Sequence, residues 1–179
     1  MIEAIDFRNA MSLLSSAVNI VTTAGVSGRH GFTASAVCSV TDSPPTLLVC
    51  MNTASRSHAY FIENKILAVS VLGPHHQPIS NVFSSKMLSA QRFEYGNWTE
   101  LKTGAPVLDD ALVNFDCQIE QIQEVGTHTI FICRVVAIQH SQPDQGLVYF
   151  NRGYHVVGHP VGHQVEQQIG HDLEKTEIA

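Results

Sequence analysis

Between positions 31 and 52 the chain reads GFTASAVCSVTDSPPTLLVCMN, and side-chain character alternates through its first half. Thr33, Ser35, Val37, Ser39 and Thr41 share one face of an extended chain; Ala34, Ala36, Cys38 and Val40 share the other. The pattern predicts a strand with hydroxyls on one side and small apolar groups on the other. A Pro-Pro turn follows, and positions 46–52 are nearly all apolar, which predicts a second strand buried on both faces. Asn52, Thr53, Ala54, Ser55, Arg56 and Ser57 then form a polar loop leading into a helix over 57–64. Small residues let a flat ligand approach the backbone, and hydroxyls bond it. A hydroxyl-rich loop beside an arginine suits a phosphate. Any half-buried strand alternates, however, and any helix start favours serine. On pattern alone both readings stand.

The rest of the chain gives the same kind of signal. Phe7, Met11, Leu14 and Val18 recur at helical spacing and predict an amphipathic helix over 6–18. A β-branched strand over 18–24 runs into a glycine-rich hairpin turn over 25–31. A strand over 65–72, a break at Gly73 and Pro74, a short helix over 77–83 and a polar irregular stretch over 84–94 follow. Val113, Phe115, Cys117 and Ile119 alternate with Asn114, Asp116, Gln118 and Glu120, which predicts a core face and a wet or interface face. Positions 130–138 are apolar except Arg134, and short strand signals at 146–150 and 154–157 flank a turn. Many short strands with a few short helices predict a mainly β protein, an antiparallel barrel. The expected domain covers 1–157. Residues 158–179, rich in Gly, His, Gln and Glu, form an extension with a short helical signal over 165–173.

Composition narrows the function classes. A chain of 179 residues fits one domain, and 44% hydrophobic content supports a core. A net charge of −6 with 15% charged residues argues against a nucleic-acid surface. No stretch is long and apolar enough to span a membrane, and the N-terminus lacks the basic start of a secretory signal. Cys38, Cys50, Cys117 and Cys133 lie in apolar runs without a CxxC pair and are expected as reduced, buried residues of a cytoplasmic chain.

No Walker loop, H-E-x-x-H, G-x-S-x-G or dinucleotide fingerprint is present; the glycines at 25, 28 and 31 have the wrong spacing. His155, His159 and His163 are four apart, but Gly158, Pro160 and Gly162 oppose the helix that would make them a metal face. His128 sits in a turn opening an apolar strand, where an imidazole can meet a ligand or be an ordinary turn residue. Arg56 and Lys86 are isolated cations among hydroxyls, suited to a phosphate or to plain solubility.

The segment at 31–52, Phe83-Ser84-Ser85-Lys86 with Gln91-Arg92-Phe93, Val125-Gly126-Thr127-His128, and GLVYFNRGYH at 146–155 together resemble the short-chain flavin reductase family. The closest look is to its pyrimidine-utilisation branch, followed by the reductase partners of 4-hydroxyphenylacetate hydroxylases. The resemblance implies an FMN-binding split β-barrel of Greek-key strands, acting as a homodimer. It implies NADH-dependent reduction of FMN or FAD, with reduced flavin diffusing to a separate monooxygenase. Carried over, it places Thr33, Ala34, Ser35 and Ala36 at the isoalloxazine edge. Asn52, Thr53, Ser55 and Ser57 would hold the ribityl chain and phosphate, with Phe83, Ser85 and Lys86 closing the phosphate side. His128 and Tyr154 would face the nicotinamide as the catalytic pair, and no metal is implied. Three alternatives share the residues: a flavin-binding sensor or carrier without turnover, a pyridoxal-phosphate or heme split barrel, and a barrel without ligand.

Overall fold

The computed structural model describes residues 2–141 and 145–158. In chain order the elements are helix α1 (Ala4–Met11), strands β1 (Ser16–Ala17), β2 (Asn19–Thr23), β3 (His30–Ala34), β4 (Val37–Asp42) and β5 (Pro45–Asn52), helix α2 (His58–Asn64) and strand β6 (Ile66–Val71). A 3-10 turn (Pro74–His76) leads into helices α3 (Gln77–Ser84) and α4 (Ser89–Arg92). Strands β7 (Trp98–Glu100), β8 (Pro106–Leu108), β9 (Val113–Val125), β10 (His128–His140), β11 (Gly146–Phe150) and β12 (Gly153–Val157) complete the chain.

Seven strands form one antiparallel sheet in the order β3-β2-β6-β9-β10-β5-β4. Strands β3 and β4 are its two edges, yet only Ser35 and Ala36 separate them in sequence. Three backbone steps reach about 11 Å at most, so the sheet must curl until its edges nearly meet. This closure makes the barrel. The single alternating strand expected over 33–41 is therefore two strands. The first pairs with β2, the second with β5, and the face relationship breaks where the chain changes partners.

The barrel interior is filled by Val21, Val49, Met51, Phe61, Leu67 and Phe131, each buried. A second cluster, including Ile20, Leu72, Phe83, Phe93 and Leu147, lies outside the sheet and seats α3. Two expectations about burial fail here. Asn114 and Asp116 are buried because residues 101–108 cover their face. Asp116 accepts the amides of Lys102 and Thr103 at 2.7 Å each and the Thr103 hydroxyl, while Asn114 Nδ2 donates to the Leu108 carbonyl at 2.9 Å. Cys38 is exposed on edge strand β4 and Cys50 is only half-buried, whereas Cys117 and Cys133 are buried as expected. Burial pushes the Cys133 thiol up to about 12.

Helix α1 is shorter than its periodicity predicts. It ends at Met11, where Ser12 turns back to bond the Asn9 carbonyl at 2.7 Å and accepts the Asn151 amide on its own carbonyl. Ile5 and Phe7 are 58% and 59% exposed, so the apolar face of this helix stays largely uncovered among the described residues. No helix among the described residues is long and apolar enough to cross a membrane. Of the expected C-terminal extension, only Gly158 lies within the described residues; the helical signal and His159 and His163 lie outside them.

Candidate functional site

The short strand β3 carries a cavity at each end. At its C-terminal end a cavity of about 240 Å³ is lined by Val18, Thr33, Ala34, Ser35, Ser84, Tyr149 and Tyr154. At its N-terminal end a cavity of about 210 Å³ is lined by residues from β3, α2 and α4, among them His30, Arg56, Ser57, Tyr60 and Arg92. Strand β3 spans roughly 13 Å between its ends at about 3.3 Å per residue. The segment after α3 borders both spaces, with Ser84 in one lining and Met87 in the other.

Helix α3 is held against β3 by a bond from Thr33 Oγ1 to the Ser80 carbonyl at 2.6 Å. Gly31 allows the close approach: a Cβ there would lie 2.8 Å from the buried Phe83 ring. Tyr154 reaches over from β12, its hydroxyl 2.9 Å from Ser80 Oγ and donating to Asn81 Oδ1 at 3.2 Å. Tyr154 packs edge-on against Tyr149, with ring centroids 5.4 Å apart. Thr33, Ala34, Ser35 and Tyr154 are thus brought together around one space. Ala36, exposed at the crossover, is the residue whose carbonyl accepts the Cys50 amide at 3.0 Å.

The second cavity is electropositive. Arg92 is only 8% exposed, and its guanidinium donates to the Met87, Gly31 and Ser85 carbonyls at 3.1, 2.8 and 2.7 Å. Arg56 donates from Nη2 to the Lys86 carbonyl at 2.5 Å. Arg29 lies over the Phe93 ring at 4.3 Å. All these partners are neutral. The ion pairs among the described residues involve Asp110 and Glu120, and neither includes Arg29, Arg56, Lys86 or Arg92. Arg56 and Arg92 thus line this cavity without forming an ion pair, in a chain of net charge −6. His30 stacks on Tyr60 with centroids 3.4 Å apart and lies 3.3 Å from the Ser57 hydroxyl. Burial, and then the Arg92 charge, holds His30 below its ordinary range. An anion would relieve the repulsion among these groups.

The other expected residues divide between ligand-facing positions and scaffolding. Asn52 Oδ1 accepts the Ala54 amide at 2.8 Å, shaping the loop into α2. Ser55 Oγ accepts the Ser57 amide at 3.4 Å, and Ser57 is buried at the cavity wall. Thr53 gives both its amide and its hydroxyl proton to the Thr127 carbonyl, at 3.0 and 3.1 Å, tying the two loops together. Ser85 donates to Val82 at 2.7 Å and accepts the Met87 amide at 3.2 Å. The Phe83 ring is fully buried, edge-on to Phe93, so only its backbone faces the site. Lys86 is exposed. His128 opens β10 opposite Asn52, exposed, with Nδ1 3.0 Å from Thr127 Oγ1. It lines neither cavity, so one subunit does not bring His128 and Tyr154 together.

Sequence reading missed His30 and Tyr60 and underrated Arg92. Arg92 entered the sequence reading only as part of the Gln91-Arg92-Phe93 motif, without a role. His75, His76 and Asp110 form a separate cluster with metal-ligand atoms within 4.8 Å of one another. There the Gly73 amide donates to His76 Nδ1 at 3.0 Å, so Nε2 carries the ring proton and faces Asp110 Oδ1 at 3.0 Å. That tautomer makes a histidine–aspartate pair and leaves no lone pair on Nε2 for a metal.

Comparison with known proteins gives this architecture its relatives. The sequence model described as flavin reductase like domain matches residues 11–158. A Pantoea ananatis protein named FMN reductase (NADH) RutF is 53% identical over 154 residues, covering 86% of this chain and 81% of that one. A protein of known structure from Haemophilus somnus 129PT, assigned as a flavin reductase, superposes with TM-score 0.85 at 52% identity, covering 87% of this chain and all of that one. The styrene monooxygenase flavin reductase of Pseudomonas putida S12 superposes with TM-score 0.78 at 28% identity, covering 87% of this chain and 99% of that one. The chain belongs to the flavin reductase family of split barrels.

Proposed function

We infer that this chain is an NADH-dependent flavin reductase that takes FMN as its flavin and releases it reduced. One observation carries the reading beyond family membership: the two cavities lie at opposite ends of β3, one small-walled and hydroxyl-lined, the other electropositive. That layout suits a flat ring at one end and a phosphate at the other. The donor set fits the group. Thr33, Ala34 and Ser35 line the ring end with little side-chain bulk, with Ala36 next to them. Ser57 and Arg56 offer a hydroxyl and a cation at the phosphate end, with Ser55 and Lys86 adjacent in sequence, and Asn52 shapes the loop into α2.

The bound flavin and nicotinamide supply the hydride chemistry between them. The residues of this chain bind, orient and shield. Arg92 ties the Ser85 and Met87 carbonyls to the Gly31 carbonyl on β3, so the phosphate wall is braced before ligand arrives. Tyr154, held by Ser80 and Asn81, presents a fixed hydroxyl and ring wall to the ring end. His128 stands beside Asn52 at the open end of the sheet, positioned to meet a carboxamide. No proton donor is required for hydride transfer, so neither residue needs to titrate.

The reading includes a homodimer in the cytoplasm. Its support is the exposed apolar face of α1, where Ile5 and Phe7 are each more than half exposed, with Leu14 just beyond the helix equally so. A second copy covering that side would also bring another chain to the separated His128 and Tyr154. The relative from Pseudomonas putida S12 is by name the reductase of a styrene monooxygenase. By analogy, the reduced flavin made here feeds a separate flavin-dependent monooxygenase.

The deciding experiment follows NADH oxidation anaerobically with FMN in excess over protein. Many turnovers per subunit are expected. Oxidation that stops at one flavin per subunit would instead mean a resident cofactor. Flavin binding without NADH oxidation would leave a flavin carrier.

A further inference from the structure

We propose that Arg56, by bridging to the Lys86 carbonyl across the phosphate-end cavity, selects a terminal phosphate monoester over a pyrophosphate and so favours FMN over FAD. The proposal rests on the flavin reductase reading and assigns the specificity to one side chain. Arg56 enters from the loop before α2; the Lys86 carbonyl belongs to the segment after α3. Their 2.5 Å bond links two segments that both line the cavity, through Arg56 on one and Met87, next to Lys86, on the other.

Two physical consequences follow. The first is shape. A chain continuing beyond the first phosphate would have to pass the bridged pair, with Met87 and Leu88 lining the same wall. A terminal phosphate ends before it. The second is charge. A phosphate monoester carries about −1.5 to −2 near neutral pH, all on one group. A pyrophosphate diester spreads single charges over two groups. Arg56 and the buried Arg92 stand on this one cavity, and burial first, then the Arg56 charge, lowers Arg92 from its ordinary value. A concentrated dianion relieves that repulsion more than a dispersed one. The Lys86 carbonyl occupies only Nη2, so the other guanidinium N–H groups of Arg56 can reach the phosphate without breaking the bridge.

The test measures dissociation constants for FMN, FAD and riboflavin by quenching of flavin fluorescence without NADH, in the wild type, Arg56→Ala and Arg56→Lys. Arg56 is exposed, so thermal unfolding should show all three proteins equally folded. Arg56→Ala is expected to lose about tenfold in FMN affinity, the worth of one charge-assisted bond. FAD affinity should hold or rise, and riboflavin should not change. Arg56→Lys keeps the charge but loses the fork, and it should retain FMN while admitting FAD. Equal weakening of FMN and FAD by Arg56→Ala would show contact with the shared first phosphate only, and would overturn the proposal. An unchanged FMN-to-FAD ratio in Arg56→Lys would equally overturn the bridge. NADH oxidation by the wild type, measured in parallel, tests the reductase reading separately. Tight FMN binding without turnover would sink that reading and leave the selectivity result standing.

Discussion

Arg92 donates from Nη1 to the carbonyl oxygen of Gly31 at 2.8 Å, joining the segment after α3 to the strand that carries both cavities. The same guanidinium holds Met87 and Ser85. Arg92→Ala therefore strands three carbonyls and removes a cation from the phosphate end. A loss of about 2–4 kcal/mol in unfolding free energy is expected, from unmet buried acceptors and lost charge-assisted bonds. Urea unfolding gives the stability and fluorescence quenching gives FMN affinity, and both should fall. A loss under about 0.5 kcal/mol, the usual range for surface substitutions, would mean that the residue does not organise this wall.

Gly31 faces Phe83 on the neighbouring element. Gly31→Ala places a Cβ 2.8 Å from Phe83 Cε1 and 3.1 Å from the Val21 carbonyl. The ring is buried against Phe93 and Trp98, with little room to yield. Overpacking of this kind costs about 1–3 kcal/mol. Because Phe83 leads directly into residues 84–86, the strain should also weaken FMN binding while leaving secondary structure intact. Unfolding curves that match the wild type would refute the tight contact.

Much of this was legible in the sequence. The polar loop at 52–57 leads into α2 as its pattern predicts, while Arg56, read as an isolated cation, bonds the Lys86 carbonyl. The unread parts have physical causes. The break at Ser35 and Ala36 is a change of strand partner, which no local pattern records, because the sequence alternation runs straight through it. Asn114 and Asp116 look like a wet face until a distant segment covers them and satisfies their polar atoms. Arg92 resembles a surface charge because its partners are main-chain carbonyls, and carbonyls leave no trace in composition. Helix α1 shows an apolar stripe that stays largely exposed among the described residues.

The His76–Asp110 pair makes stability depend on pH. Burial, outweighing the bond to Asp110, holds His76 below its ordinary value. In the unfolded chain it titrates near 6.5. Below that value the unfolded state binds the extra proton, so stability is fully present above about pH 6.5 and declines as pH falls toward the folded value. Urea unfolding at pH 7.5 and pH 5.5 should show the decline. His76→Asn keeps an acceptor for the Gly73 amide but cannot titrate, and it should flatten the slope. An unchanged slope would place the dependence elsewhere, with His30, also lowered by burial, as the next group to substitute.

The separation of His128 from Tyr154 makes its own prediction. His128 is exposed, touches Thr127 and stands opposite Asn52, away from both cavities. If it meets the nicotinamide, its removal should act on NADH and spare the flavin. His128→Ala is expected to raise KM for NADH about tenfold, the loss of one good hydrogen bond to a substrate. The FMN dissociation constant should stay unchanged and the fold intact, because no buried group depends on this ring. Tyr154→Phe should behave differently, since its hydroxyl bonds Ser80 Oγ and Asn81 Oδ1 beside the ring end. It should disturb flavin binding as well as turnover. Equal losses in NADH and FMN affinity for His128→Ala, or no loss in either, would remove His128 from the nicotinamide side.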